Sequence, residues 1–204
     1  MEPNIHPTKV AIMNAAVEVF RQKGFSGATT KEIAQLANIS EGAIFRHFSN
    51  KMEILYEVVN HVIPMIGIET LQKTIEDSKE MDVRHALRNI LQDRFITIDK
   101  SKLLIRIILT EIQYDEKLRE IYMDRVYQPL RELIKSFFME RIERGELKKK
   151  PPELFFNMIF SYVLFAIVNP ELLENLKQQN LFNKSAAEEL ADILLDGIKG
   201  GSDE

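Results

Sequence analysis

The sequence predicts an all-α protein, a three-helix head continuous with a larger helical body. Three observations carry that prediction. Apolar residues recur every three to four positions along nearly the whole chain, the spacing of one helix face. Ser, Thr, Asp or Asn stands just ahead of several of these apolar runs, with Glu three residues on at Thr29/Glu32 and Asn50/Glu53, the signature of a helix start. No stretch shows the period-two alternation of a half-buried strand.

In chain order, residues 1–7 read as a loose arm. Helix 1 is expected from Thr8, with Ile12, Ala16, Val19 and Phe20 inward; Gly24 stops it and Phe25 folds back on Phe20. Thr29 opens helix 2, in which Ile33, Ala34 and Ala37 share a face. Asn38 suits the left-handed residue that ends it. Ile39 plugs the turn, and Ser40 caps helix 3, with Ile44 and Phe48 inward. The outer face of helix 3 is left with Glu41, Gly42, Ala43, Arg46 and His47. Glycine weakens a helix, so Gly42 near its start implies that something approaches the backbone closely. Asn50 opens a fourth helix that joins head to body and is expected to kink or stop at Pro64. The domains expected are residues 1–51 and 52–204.

In the body, Asp82 is expected to cap one helix and Ser101 another. A long helix runs from Asp115 to Gly145, kinked at Pro129. The run Leu154–Val168 is apolar nearly all round and is expected to be buried on most faces. At fifteen residues it falls short of the roughly 20 that span a membrane. A last helix is expected after a Ser185/Glu188 cap. Two late helices with so much apolar surface need covering, either by packing within the chain or by a second copy that completes a four-helix bundle. Phe160, Leu164, Leu190, Leu194 and Ile198 are the residues expected at that interface.

A helix-turn-helix whose second helix shows a polar, glycine-bearing outer face is suited to a DNA major groove. The run Gly24–Leu55, GFSGATTKEIAQLANISEGAIFRHFSNKMEIL, resembles the DNA-binding head of the tetracycline-repressor (TetR) family. That resemblance implies Thr29 or Thr30, Phe45, His47 and Lys51 on the phosphate side. It implies Glu41, Gly42, Ala43 and Arg46 nearer base edges, with Ser40 at the helix start between them. Two positions depart from the family, which often has a basic residue at Glu41 and Tyr at Phe45. Phe45 has no hydroxyl to donate and is left with apolar contact, and Glu41 can accept from a cytosine amino group. The resemblance further implies a twofold dimer on a near-palindromic double-stranded operator and release by a small molecule bound in the body. Aromatic and methionine side chains suit an apolar or aromatic ligand; the expectation falls on Phe95, Tyr122, Phe137, Phe155, Met158 and Tyr162.

Charge is compatible with this. The net −4 hides a head of +2 (residues 1–51, six Lys/Arg against four Asp/Glu) and a remainder of −6. Phosphate contacts are local and screened within about 10 Å at 0.1 M salt, so an acidic body does not prevent them. The absence of cysteine excludes disulfides and thiolate chemistry. The four histidines form no HExxH pattern, and no G-x-S-x-G or phosphate-cradling glycine loop occurs, so neither an enzyme nor a metal or cofactor site is expected. The opening MEPNIHPTK lacks the apolar core of a signal peptide, which predicts a cytoplasmic location and no membrane. Two other readings stay open: a DNA-binding protein without a ligand, and a helical interaction module whose head no longer binds DNA.

Overall fold

The structure is a computed structural model, and it describes residues 5–179 and 183–196. Among these residues it is all-α, with eleven α-helices and three π-helical turns. The head follows the capping pattern closely. Helix α1, Pro7–Gly27, is interrupted at Gly24, whose φ of 71° only glycine adopts freely. The Phe25 ring then lies 5.3 Å from that of Phe20. Helix α2, Thr30–Leu36, carries a complete capping box: Thr29 Oγ1 accepts from Glu32 N at 3.2 Å and Glu32 accepts from Thr29 N at 3.1 Å. Asn38 takes φ 55° in the turn. Helix α3, Glu41–Phe45, starts where Ser40 Oγ accepts from Ala43 N. Helix α4, Lys51–Glu57, starts at Asn50, whose side chain accepts from Glu53 N at 3.0 Å. Glu53 reaches back to Ser49 N rather than to the cap itself.

Beyond α4 the chain does not stop at Pro64, the position expected to kink or end the helix. The helical run continues through π-turns at Val58–Val62 and Met65–Glu69 into α5, Thr70–Asp77. Proline lacks the N–H that a regular turn needs, and the wider π spacing accommodates that loss without ending the helix. By length and composition this run, Lys51–Asp77, is apolar enough to cross a membrane. Its Ile54, Leu55, Val58, Val59, Ile63 and Leu71 are nevertheless buried in protein cores.

Asp82 caps α6, Val83–Glu111, by accepting from the amides of Arg84 and His85. Ser101 starts nothing: it lies inside this 29-residue helix, where a single serine costs little. Asp115 caps α7, Glu116–Tyr122, which passes through the π-turn Met123–Tyr127 into α8, Gln128–Glu143. Gly145, at φ 75°, closes that run. Helix α9 is Pro152–Val168, and α10, Pro170–Gln178, is a helix the sequence reading missed, capped by Asn169 on Leu172 N. For α11, Lys184–Asp196, the cap is Asn183 on Ala186 N, not Ser185.

Packing divides the chain differently from the boundary expected at residue 51. One unit holds the described residues through Met65 together with Leu103–Val126; the other holds Ile66–Lys102 and the described residues from Tyr127 onward. The reason is apolar: Leu104, Ile108, Leu118 and Val126 share one core with Ile54, Leu55, Val58 and Val59 of the connecting helix. Tyr56 adds a polar tie, donating to Asp115 Oδ2 at 2.8 Å beneath the Lys117 ammonium. Burial and that carboxylate push the Tyr56 phenol up to about 12. The second core gathers Leu87, Ile90, Leu91, Phe95, Phe137, Phe138, Phe155, Ala187, Ala191 and Leu195.

Candidate nucleic-acid interface

The first core fixes α3 by burying Ile44 within it and Phe48 just after it, which leaves one face of this short helix outward. Phe45 (53% exposed), Arg46 and Gly42 are open to solvent, with Thr29 and Ser40 exposed beside them. A Cβ on Gly42 would meet nothing closer than Ser40 Oγ at 4.0 Å. The free protein therefore does not need glycine there; a close-approaching partner would. Ala43 departs from the expectation. It is only 6% exposed, because its methyl follows Ile44 inward, and it offers no outer surface.

Glu41 is not a loose anion on this face. Thr30 Oγ1 donates to its carboxylate at 2.6 Å, so Thr30 and Glu41 form one pair between α2 and α3. His47, half-buried at the end of α3, packs its ring 5.3 Å from that of His6. His6 belongs to the stretch expected to be a loose arm, yet its Nδ1 caps α1 on Thr8 N, and Pro7 follows at the first helical position. A polar residue directly before Pro was the signal available in the sequence. Lys9 joins the same neighbourhood, its ammonium 5.3 Å from the Phe48 ring centre.

Lys51 differs most from what the resemblance implies. Its ammonium donates to the carbonyls of Phe25, Ala28 (2.9 Å) and Ser26 (3.4 Å), and lies 4.6 Å from the Phe25 ring centre. All three donors are thus engaged on the last turn of α1 and its cap residue Ala28. Burial pushes this lysine below its usual range, with Glu111 acting the other way. Its place is that of a brace between α4 and the end of α1. Lys51→Met should lower the unfolding free energy by about 1–2 kcal/mol, measured by denaturant titration. The slope of log affinity for DNA against log salt should hardly change. A slope reduced by about 0.9 with unchanged stability would instead make Lys51 a phosphate contact.

The expected ligand and interface residues separate. Phe95, Phe137 and Phe155 are buried in the second core, with Tyr162 packed against it, its ring 6.2 Å from that of Phe95. Tyr122 packs instead in the first core, and Met158 is 51% exposed. The six are therefore not gathered in one core. Leu194 is buried in the second core and Phe160 and Leu190 pack on it, while Leu164 is half-buried and Ile198 lies outside the described residues. Nor is α9 buried on most faces. Leu154, Met158, Phe165 (63%) and Val168 are exposed, with Ser161 between them, and Ile193 of α11 is 70% exposed.

Residues 12–58 match the family of bacterial regulatory proteins described as the tetR family, and the match runs from α1 through the helix-turn-helix into the connecting helix. Residues 12–58 are a TetR-family DNA-binding head. The relatives that share it are transcriptional regulators of the same DNA-binding type, and this protein is a DNA-binding transcriptional regulator. It is 27% identical over 168 residues to YdeS, an uncharacterized HTH-type transcriptional regulator of Bacillus subtilis, covering 81% of each chain. To the HTH-type transcriptional regulator LuxR of Vibrio harveyi it is 24% identical over 170 residues, 79% of this chain and 78% of the other. Among solved structures, a TetR-family regulator from Mesorhizobium loti superimposes with a TM-score of 0.78 at 20% identity, over 96% of both chains. The regulator FadR of Bacillus subtilis, solved in complex with stearoyl-CoA, gives 0.72 at 22% identity, over 93% of this chain and 99% of that one.

Proposed function

We propose that this TetR-family protein is a cytoplasmic repressor. As a twofold dimer it binds a near-palindromic operator and leaves it when an apolar ligand occupies the second unit. The observation that carries the DNA part is the outer face of α3: Gly42, Phe45 and Arg46 stand exposed on a helix capped at Ser40 and seated by Ile44 and Phe48. Arg46 is the side chain suited to a guanine edge, Gly42 permits close backbone approach, and Phe45 suits a thymine methyl. Thr29, Ser40 and His47 surround them as positioning contacts, while the Thr30–Glu41 pair sets how α2 and α3 meet. Residues 1–51 are the reading part, and the remainder senses and dimerises.

Dimerisation is supported by the stripe on α9. Leu154, Met158, Ser161, Phe165 and Val168 follow a four-three-four-three spacing, one seam of a helix pair, and Ile193 on α11 extends its apolar surface. A matching stripe on a second copy would cover it. These residues replace Phe160, Leu190 and Leu194, which the monomer's own core already uses.

The ligand part draws on the aromatic second core and on the fold shared with a regulator that holds stearoyl-CoA. Phe95 and Tyr162 are the expected contacts, Phe137 and Phe155 the packing behind them. The ligand must prefer the DNA-incompetent arrangement, and a coupling of about 1–3 kcal/mol weakens operator binding 5- to 150-fold. Stearoyl-CoA is the first probe. Its affinity measured with and without saturating operator should differ by the same factor as operator affinity measured with and without stearoyl-CoA. Binding of the acyl thioester with equal affinity in both states would remove the inducer role from this class of ligand.

A further inference from the structure

The two units are joined by the chain at three points: between Met65 and Ile66, between Lys102 and Leu103, and between Val126 and Tyr127. Two of these crossings lie in or beside a π-turn and one lies in regular α-helix. We propose that the two π-helical crossings, Pro64–Ile66 and Val126–Tyr127, are hinges built into the fold, and that Arg94 is the positioning residue that holds the far side of the first. This deepens the reading of a switching regulator and rests on it.

At the first crossing, Pro64 contributes no N–H and stands between the π-turns Val58–Val62 and Met65–Glu69. A proline and a widened turn both weaken the local hydrogen-bond ladder, and π-turns recur where helices serve a function. The residues on either side are fixed. Val58, Val59 and Ile63 are buried in the first core, and Leu71 in the second. Arg94 of α6 grips the downstream turn: Nη1 donates to Gly67 O at 2.5 Å and Nη2 to Thr70 Oγ1 at 2.7 Å. Its side chain is 11% exposed and pairs with Asp93, so the guanidinium is itself anchored. Bending is thereby confined to the few residues from Pro64 to Ile66.

The second crossing is sharper still. Val126 is buried in the first core, while the next residue, Tyr127, packs its ring edge-on against Phe156 and Phe160, 5.6 and 5.4 Å away. Consecutive residues of one π-turn thus serve different cores, and Pro129 follows two positions on. The third crossing contrasts with both. Lys102 bonds to Asp99 at 3.1 Å and pairs with Glu174 at 3.5 Å, and Lys177 joins the same Asp99, so an ionic cluster stiffens α6 where it crosses. One stiff rod and two compliant turns are the parts of a hinge. Because the recognition helix belongs to the first unit, these three segments are the covalent routes by which a rearrangement of the second can reach it.

Hydrogen exchange of the full chain, read by mass spectrometry with and without saturating operator, tests the proposal. Without DNA, amides of 65–69 and 123–127 should exchange about tenfold faster than those of α4 and α8. Operator should slow both π-turns about tenfold, since it fixes one arrangement. Gly67→Ala, whose added Cβ meets nothing within 4 Å, combined with Pro64→Ala, should slow 65–69 in the free protein. Arg94→Gln should speed 66–70 and leave 123–127 and α4 unchanged, which a general loss of stability would not do. π-turns exchanging as slowly as α4 and α8, or unmoved by bound operator, would overturn the hinges. A chain that binds no operator but shows the fast turns would sink the regulatory reading and leave the hinges standing.

Discussion

Placing glutamate at both Met158 and Phe165 will split the dimer and abolish tight operator binding while the head stays folded. The two side chains sit two turns apart on the same seam of α9, 51% and 63% exposed in the monomer, so each change puts a charge where the partner would bury it. An unpaired charge inside an interface costs several kcal/mol, and two of them exceed what an interface of ordinary size can offset. A monomer presents one recognition helix. It loses the second half-site, which lies about 34 Å away or a multiple of that pitch in a near-palindromic operator. Sedimentation and operator titration should move together, with the melting of the head unchanged. Leu194→Glu is the contrasting variant: Leu194 is buried in the second core, so it should unfold that unit rather than merely separate two copies. A Met158→Glu, Phe165→Glu protein that stays dimeric would place the interface on another face.

Arg141→Ala should be the most destabilising single substitution outside the apolar cores, at about 3–5 kcal/mol, because it removes a buried ion and leaves its hydrogen-bond partners without their donor. Arg141 is 2% exposed. Nη1 donates to Met81 O at 2.8 Å and Glu146 at 3.0 Å, and Nη2 to Ser78 O at 3.0 Å and Lys79 O at 3.2 Å. The guanidinium also lies 5.4 Å from the Phe137 ring centre. It therefore ties the turn between α5 and α6 to α8. Its loss leaves the carbonyls of Ser78 and Met81 without that donor, whereas Lys79 O keeps Arg144 at 3.0 Å. Denaturant unfolding of the full chain should show the loss. Arg141→Lys should recover only part, since one ammonium cannot reproduce the planar fork. A change under about 1 kcal/mol would mean the turn rebuilds its bonds with water.

What the sequence disclosed was local. The caps at Thr29, Ser40, Asn50, Asp82 and Asp115 depend on residues within four positions, and each was legible. Asn169-Pro170 carried an equally local start signal for α10 and was passed over behind the apolar run of α9. The rest turned on distance in space. Nothing near Lys51 in sequence says that the carbonyls of Phe25, Ser26 and Ala28 would occupy it. Phase was the other difficulty. Ile193 and Leu194 are neighbours about 100° apart on a helix, and only the packed core decides which one faces out. Local rules make Pro64 a kink or stop and Ser101 a helix start, and tertiary packing overrides both readings, with π-turns around Pro64 and an unbroken α6 through Ser101.

The central claim is that the outer face of α3 reads DNA. It is tested most directly by titrating wild type, Gly42→Ala and Arg46→Ala against operator and against scrambled duplex of equal length at one salt concentration. Wild type should prefer the operator by about 10³-fold or more. Arg46→Ala should lose roughly 1–3 kcal/mol at particular base pairs and bind scrambled DNA nearly as before. Gly42→Ala should fold at least as stably, since alanine favours a helix by about 1 kcal/mol and meets no clash, yet bind operator more weakly. Equal losses on operator and scrambled duplex, or no loss at either position, would contradict the assignment of this face to base reading.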